Sequence, residues 1–441
     1  MHRYYFMRSQ WLLLVLCMLA ECARAQAPPL VMSSAVDCQT GTPVQPLTEQ
    51  VALARMRRCN RDLIAARRAV IAARADQRIA GQAPNPTLTV GVGSINPMLG
   101  IGTGTLREKT VDTSARYEQL IERGGKLALR QQGAQLQVAA TGQDLAEMER
   151  QQGAAVLQAM VDLAAADGRV SLLTEVVALY DETLRANARR TARGDLAPID
   201  AQRQAIDATR AQADLRQAQA DLQRARLALG ALLAWEIQAS ALQVDPVILD
   251  VTPVASDAFD PVQRADVRAA RLRTDAAQAA RDLARAQAKP DVTVGLQLDH
   301  WPTSATNTTG TGNTISFIVS IPLLVRHSFD GELARALSDS DAAQEAFQRV
   351  QAAAQSDWVR INADLASSQA RLQLLQTQQT PQAEQVAGAA ELGYAKGALS
   401  VMELLDARRV LRQTRLDVLA ARADLARATL TRNRWIASQT E

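Results

Sequence analysis

The sequence predicts a mainly α-helical protein with a small β part, built from long antiparallel coiled-coil helices and four β-strands per chain. Three observations lead to this fold class. Aromatic residues are only 3% of the 441 residues although 47% are hydrophobic, which is typical of long helices rich in Ala and Leu. A stretch of helical composition runs from 126 to 193. The chain is also internally duplicated, and each copy carries two alternating strands.

The duplication rests on three short motifs that recur in the second half of the chain. They are PTLTVG at Pro86 and PDVTVG at Pro290, GKLA at Gly125 and GELA at Gly331, and RGDLA at Arg193 and KGALS at Lys396. By subtraction of residue numbers, the three offsets are 204, 206 and 203. Matches at nearly one offset indicate two copies of one structural plan. We place the first repeat at 46–234, a linker at 235–257 and the second repeat at 258–438.

The N-terminus has the pattern of an export signal. A basic start precedes an apolar core at 11–20 and an A-x-A cleavage site at 23–25, so we expect residues 1–25 to be a signal peptide. The alternative is a lipoprotein signal in which Cys22 is acylated. Residues 26–45 then form an extended N-terminal segment.

The remaining cysteines and the charges limit the classes of function. After export, Cys38 and Cys59 lie in an oxidising compartment, either as a disulfide or as two free thiols. The net charge is +3 with both signs interspersed, which argues against nucleic-acid binding. His300 and His327, on opposite sides of one strand pair, support neither a metal centre nor a catalytic triad. We therefore expect no enzyme activity and no cofactor.

Each repeat is predicted as helix, strand, loop, strand, long helix, tight turn and helix. The strands alternate between apolar and mostly polar positions, and they are placed at 87–92, 111–120, 291–299 and 314–321. This alternation suits a transmembrane barrel, and four strands cannot close one, so the barrel must be shared between subunits. The alternative is an ordinary antiparallel sheet in a periplasmic domain.

The helices are too long for a globular domain. The 68 residues from Lys126 to Arg193 would span about 100 Å at roughly 1.5 Å per residue. The first hairpin turns near 194–198, the second near 397–400, and a break is expected near Thr380-Pro381. A purely structural coiled coil would account for these helices but not for the strands.

Four segments carry a resemblance to a known family. These are Tyr394-x-x-Gly-x-Leu-Ser-x-x-Glu-Leu-Leu-Asp-Ala-Arg, the GDL turn at Gly194 with Asp200, LIERGGK at Leu120 and SIPL at Ser320. They resemble the TolC family of outer-membrane factors, and the resemblance extends over residues 46–438. Within that family, the chain is most similar in general appearance to the outer-membrane components of cobalt–zinc–cadmium resistance pumps.

The resemblance implies a passive efflux channel in the outer membrane. It implies a homotrimer whose twelve-stranded barrel contacts outer-membrane lipid and whose helices form a tube in the periplasm. Its partners would be a periplasmic adaptor (membrane fusion protein) and an inner-membrane resistance–nodulation–division transporter, and its cargo divalent heavy-metal cations. The alternatives are a multidrug channel of the same family or, in other classes, a periplasmic adaptor or a structural coiled-coil protein.

The resemblance also assigns roles to the hairpin turns, with one exposed leucine in each turn expected to seat in a groove of the adaptor. The adaptor-contact residues would be Gly194, Asp195, Leu196 and Ala197 in one turn and Gly397, Ala398, Leu399 and Ser400 in the other. The periplasmic constriction would contain Tyr394, Glu403, Asp406 and Asp200. Alternatively, the turns are only helix ends, and the carboxylates are solvent-facing partners of Arg203, Arg408 or Arg409.

Overall fold

The structure is a computed structural model. It describes residue 38 and residues 46–95, 111–194, 197–254, 259–302 and 312–437. The predicted signal peptide lies outside the described residues, as do Cys22, Asp195 and Leu196.

Helices dominate the described chain, which confirms the predicted fold class. In chain order the elements are α1 (Glu49–Cys59), α2 (Arg61–Ala80), β1 (Thr87–Gly93), β2 (Asp112–Ile121), α3 (Lys126–Ala192), α4 (Pro198–Leu232), α5 (Ala265–Gln287), β3 (Val292–Trp301), β4 (Gly312–Ser320), α6 (Asp330–Leu374), α7 (Thr380–Ala395) and α8 (Val401–Ala437). Short 3₁₀ turns at Ala239–Ala241, Pro246–Asp250 and Pro261–Gln263 lie between α4 and α5.

Local sequence explains where several helices begin. The Asn60 side chain accepts hydrogen bonds from the backbone N–H groups of Asp62 and Leu63, so it caps α2 and separates it from α1. Helix α3 follows Gly125, whose φ of 74° lies in the left-handed region that glycine adopts without strain. Pro198 is the first residue of α4, where its missing N–H costs no hydrogen bond.

The four strands form one antiparallel sheet in the order β1-β2-β3-β4. The β2–β3 pairing joins the two repeats, and Tyr117 lies opposite both Leu88 and Leu296. Leu296 in turn lies opposite Phe317 of β4. Directly opposed residues share one face of a sheet, so these four side chains define a common face. The strand bounds differ from the predicted ones by one or two residues, which is the usual imprecision of sequence patterns.

The interruption predicted near Thr380-Pro381 is present as a local change of helix type. A π-helical turn, Leu375–Gln379, links α6 directly to α7. The Thr380 hydroxyl donates to the Leu375 carbonyl at 2.9 Å. The wider turn therefore accommodates the proline, which lacks an N–H, without ending the helix.

The main hydrophobic core lies where the linker between the repeats packs against the long helices. Leu163 of α3, Leu229 of α4 and Leu430 of α8 pack there with Trp235 and Leu242 of the linker. Beside it, Phe259 stacks on Trp358 with ring centroids 4.4 Å apart. Within the described residues, no helix is both long and apolar enough to cross a lipid bilayer.

Candidate functional site: the hairpin tips and the two-faced sheet

The hairpin tips are the turns at Gly194 and Gly397 with the adjacent ends of α3, α4, α7 and α8. Both glycines have positive φ, 81° and 73°. Gly397 N–H donates to the Tyr394 carbonyl, and Ala398 N–H donates to the Gly393 carbonyl at 2.8 Å. These hydrogen bonds satisfy carbonyl groups in the last turn of α7. The motif requires a positive φ after the helix, which glycine adopts without strain. The glycines are thus needed to reverse the chain.

Ser400 and Glu403 form a capping box at the start of α8. The Glu403 carboxylate accepts from the Ser400 N–H at 2.7 Å and from its hydroxyl at 2.8 Å. The Ser400 hydroxyl accepts from Glu403 N–H at 3.3 Å, which completes the reciprocal pair. The hydrogen bond from the Ser400 backbone lowers the pKa of Glu403. Glu403 therefore supports the turn itself.

The first turn is built differently from the second. Helix α4 starts after Ala197 without a side-chain cap, and Asp200 pairs with Arg203 at 3.5 Å. Asp200 and Glu403 lie six residues after their turn glycines, yet only Glu403 caps a helix. Asp406 pairs with Arg409 at 3.1 Å. Asp200 and Asp406 thus each pair with an arginine, as expected if they are ordinary carboxylates on the outer faces of their helices.

The expectation of an exposed leucine is wrong for Leu399. Its side chain is half-buried and folds over Gly393, where an added Cβ would come within 2.7 Å of Leu399 Cδ1. It packs with Ala390, Leu404 and Ala407. The short loop brings Leu399 back onto α7, so it stabilises its own hairpin.

Two contacts tie the hairpins together near the tips. Arg190 of α3 donates to the Tyr394 hydroxyl of α7 at 2.7 Å, and its guanidinium lies 5.2 Å from the ring centroid. Arg408 of α8 donates to the Thr183 hydroxyl of α3 at 3.1 Å and pairs with Glu391 at 3.2 Å. Tyr394 is thus placed between the two repeats.

Sequence reasoning missed the most buried charge at the tips. The Asp207 side chain on α4 is only 6% exposed and accepts two hydrogen bonds of 2.6 Å from Arg409 of α8. This hydrogen bonding raises the pKa of Arg409. Burial, and then the nearby Asp207 charge, raises the pKa of the Tyr180 hydroxyl. Asp207 lies in the inward stripe with Gln204, Ala208 and Ala211, and that i, i+3, i+4, i+7 spacing could have indicated it.

The first hairpin also has a polar interior next to this ion pair. Gln204 is 1% exposed and Asn187 is 3% exposed. Neither polar atom of the Gln204 amide has a hydrogen-bond partner among the described residues, nor do Asn187 Nδ2 and Thr191 Oγ1. A buried polar group without a hydrogen-bond partner costs stability, so these side chains contribute less to the packing of the hairpin than apolar side chains would.

The sheet has two chemically different faces. Its apolar face carries Leu88, Val90, Tyr117, Leu296, Leu298, Ile315, Phe317 and Val319, which the strand registers place on one side. These side chains are exposed, with Val90 71% and Phe317 85% accessible. The opposite face carries an Arg116–Glu118 ion pair and a hydrogen bond between Gln297 and Asp299. Such a sheet can separate lipid from water.

The described residues contain no cluster of three or more His, Cys, Asp or Glu side chains that could hold a metal ion. Cys38 and Cys59 are each disulfide-bonded. His300 lies 2.8 Å from Asn313, and His327 lies 2.7 Å from Glu332. His300 lies within β3 opposite Asn313, and His327 lies between β4 and α6.

The comparison with known families decides the identity of this arrangement. The model of the outer membrane efflux protein family matches residues 52–234 and 262–431. The chain belongs to the outer membrane efflux protein family. Its TolC-like fold is confirmed by solved structures of channels of this kind.

This outer membrane efflux protein is similar to one curated protein in sequence and to solved structures in fold. It is 27% identical over 344 residues to the cobalt-zinc-cadmium resistance protein CzcC of Cupriavidus metallidurans, covering 77% of this chain and 80% of that protein. The outer membrane protein VceC of Vibrio cholerae has a TM-score of 0.73 at 18% identity, over 89% of this chain and 95% of that one. The outer-membrane channel OprN has a TM-score of 0.71 at 19% identity, over 94% and 98%.

Proposed function

We propose that three copies of this chain form an efflux channel, with a twelve-stranded barrel in the outer membrane and a helical tube in the periplasm. The observation that carries this proposal is the sheet, whose exposed apolar face lies opposite a polar face. A sheet of four strands with this alternation closes into a barrel only with other copies. Helix α3 then supplies 67 residues, about 100 Å, for the tube.

The hairpin tips are the proposed inner end of the channel. Gly194, Ala197, Gly397, Ala398 and Ser400 present the two turns to a periplasmic adaptor, together with Asp195 and Leu196 outside the described residues. An inner-membrane resistance–nodulation–division transporter would complete the pump. Leu399 supports the second turn from within and shapes this surface indirectly.

The proposed constriction combines the predicted residues with the Asp207–Arg409 pair. Tyr394 joins α7 to α3 through Arg190, and Asp207 joins α4 to α8. These contacts hold the two hairpins together in the resting tube. Asp200, Glu403 and Asp406 add carboxylates around the same end, and such rings favour cations over anions.

Divalent heavy-metal cations are the proposed cargo. Support comes from the similarity to a cobalt-zinc-cadmium resistance protein and from the carboxylates at the tips. The channel wall would pass cations along its polar interior without binding them tightly. The transporter supplies the energy, so the channel needs neither catalysis nor a cofactor.

Reconstitution and deletion test the proposal together. The full chain should fractionate with the outer membrane, run as an oligomer in mild detergent and conduct ions in planar bilayers. Deletion of its gene should raise sensitivity to cobalt, zinc or cadmium. A soluble monomer would refute the channel. A conducting oligomer whose loss sensitises cells only to organic drugs would refute the metal cargo and favour a multidrug channel.

A further inference from the structure

A cavity of about 260 Å³ lies between the two repeats. Helix α3 of the first repeat forms one side, and α7 and α8 of the second repeat form the other. The apolar part of its lining consists of Leu172, Val176, Leu179 and Leu411. Because one water molecule takes up about 30 Å³ in the liquid, this volume fits a ligand of roughly ten non-hydrogen atoms.

Tyr180 contributes a hydroxyl group to the lining of this cavity. The residue is only 5% exposed. Among the described residues, the hydroxyl has no hydrogen-bond partner, and a buried donor without a partner costs stability. Burial raises the pKa of this hydroxyl, so it keeps its proton at neutral pH. Tyr180 can therefore donate a hydrogen bond to a ligand that enters the cavity.

Two arginines of α8 bring further unused donors to the same cavity. Arg412 Nε is buried and has no hydrogen-bond partner within the described part of the chain. The guanidinium of Arg412 lies 3.7 Å from Asp214, and that of Arg415 lies 3.7 Å from Glu384. Both distances are longer than a hydrogen bond. Arg412 and Arg415 are three residues apart on one helix, so their side chains lie on the same face.

The charges along the lining favour an anionic ligand. Arg408, the third arginine, already pairs with Glu391 at 3.2 Å and donates to Thr183. Glu175 is the second glutamate of the lining, and it is exposed, so water screens its charge. Three arginines and two glutamates give the lining a formal net charge of +1. A carboxylate suits this lining because its oxygens accept hydrogen bonds from guanidinium and hydroxyl groups alike.

We propose that this cavity binds a small organic carboxylate with an apolar body. The carboxylate accepts hydrogen bonds from the Tyr180 hydroxyl and from the guanidinium groups of Arg412 and Arg415. The apolar body lies against the four apolar side chains of the lining. Because Tyr180 belongs to the first repeat and both arginines belong to the second, one ligand bridges the two repeats. This inference goes beyond the proposed channel function and does not depend on the identity of its cargo.

Fluorine NMR of 4-fluorobenzoate with the purified full-length channel in a nonionic detergent tests the site. This probe has a carboxylate, an apolar ring and about ten non-hydrogen atoms, and it should bind saturably with a Kd on the order of 0.1–1 mM. Tyr180→Phe, which keeps the ring, and Arg412→Gln should each weaken binding about tenfold, because each removes a hydrogen bond to a charged group. The matched controls Tyr117→Phe and Arg422→Gln lie outside the cavity and should bind the probe as the parent does.

Four results would overturn the proposal. One is a parent protein that shows no saturable binding of the probe. Another is equal binding by the parent and Tyr180→Phe, which is decisive even if Arg412→Gln fails to assemble, because this variant loses only one oxygen atom. The third is displacement by benzylammonium as strong as by benzoate, since the site would then not select a carboxylate. The fourth is displacement by acetate as strong as by benzoate, which would exclude a contribution from the apolar lining.

Discussion

Substitution of Arg409 by glutamine should loosen the hairpin tips. Arg409 donates two hydrogen bonds of 2.6 Å to Asp207, whose side chain is 6% exposed. In Arg409→Gln, Asp207 stays charged and buried without this partner. The variant removes one contact between α4 and α8 and leaves the rest of both helices unchanged.

The size of the effect follows from the burial of the two partners. Loss of one partner of a buried ion pair costs about 3–5 kcal/mol. The Arg409 side chain is 38% exposed, and Arg210 lies 3.8 Å from Asp207. Water and Arg210 therefore compensate in part, which lowers the expected cost to about 1–3 kcal/mol. That range corresponds to roughly a five- to 150-fold change in a local opening equilibrium.

Hydrogen exchange of the purified channel measures this change. Amides of α4 and α8 near Asp207 should exchange faster in Arg409→Gln by the factor given above. Asp406→Asn is the matched control, because Asp406 pairs with the same arginine but is 65% exposed, and it should cost at most about 0.5 kcal/mol. The double variant Arg409→Gln, Asp207→Asn should regain much of the protection because no unpaired charge stays buried.

Two results would refute the reasoning. If Asp406→Asn loosens the tips as much as Arg409→Gln, burial is not the cause. If Asp207→Asn does not rescue Arg409→Gln, the loss does not come from an uncompensated carboxylate.

Three further predictions concern the sheet, the constriction and the cap. Phe317→Lys places a charge on the apolar face and should reduce the yield of folded outer-membrane oligomer, because a lysine facing lipid at mid-membrane costs about 2–4 kcal/mol of folding free energy. Ser316→Lys, on the polar face, should be tolerated. Equal yields of the two variants would contradict the assigned faces. The double variant Glu403→Gln, Asp406→Asn should lower cation selectivity in planar bilayers at low salt, where screening is weak, and unchanged selectivity would remove both residues from the constriction. The pKa of Glu403 is lowered, so its hydrogen bonds to Ser400 should persist below the pH at which an ordinary glutamate protonates, and they should be lost as pH falls through that lowered pKa. Hydrogen exchange of the first backbone amides of α8 should become faster at that pH. In Ser400→Ala, the same amides should exchange faster already at neutral pH.

The fold could be predicted from the sequence because its signals are local and repeated. The alternation of β3 and the uninterrupted helical composition after Lys126 are properties of neighbouring residues. The interruption expected near Pro381 has a local cause as well. A proline removes one N–H, and a π-helical turn accommodates this without ending the helix, which composition alone does not indicate.

The candidate site could be predicted only in part. The turn glycines could be predicted because few residues other than glycine adopt a positive φ without strain. Asp207 was missed, although its spacing with Gln204 and Ala208 placed it on an inward stripe. Leu399 was expected to be exposed, and its contact with Gly393 depends on how the loop folds back onto α7.

The sequence by itself determined the family, the repeated plan, the strand alternation and the places where the hairpins turn. Only the tertiary structure decided which charged side chains pair with each other. Arg409 pairs with both Asp207 and Asp406, and Arg190 of the first repeat donates a hydrogen bond to Tyr394 of the second. The physical reason is sequence distance. Helix and strand periodicity is set by residues a few positions apart, whereas Asp207 and Arg409 are 202 positions apart and meet only after both hairpins have packed.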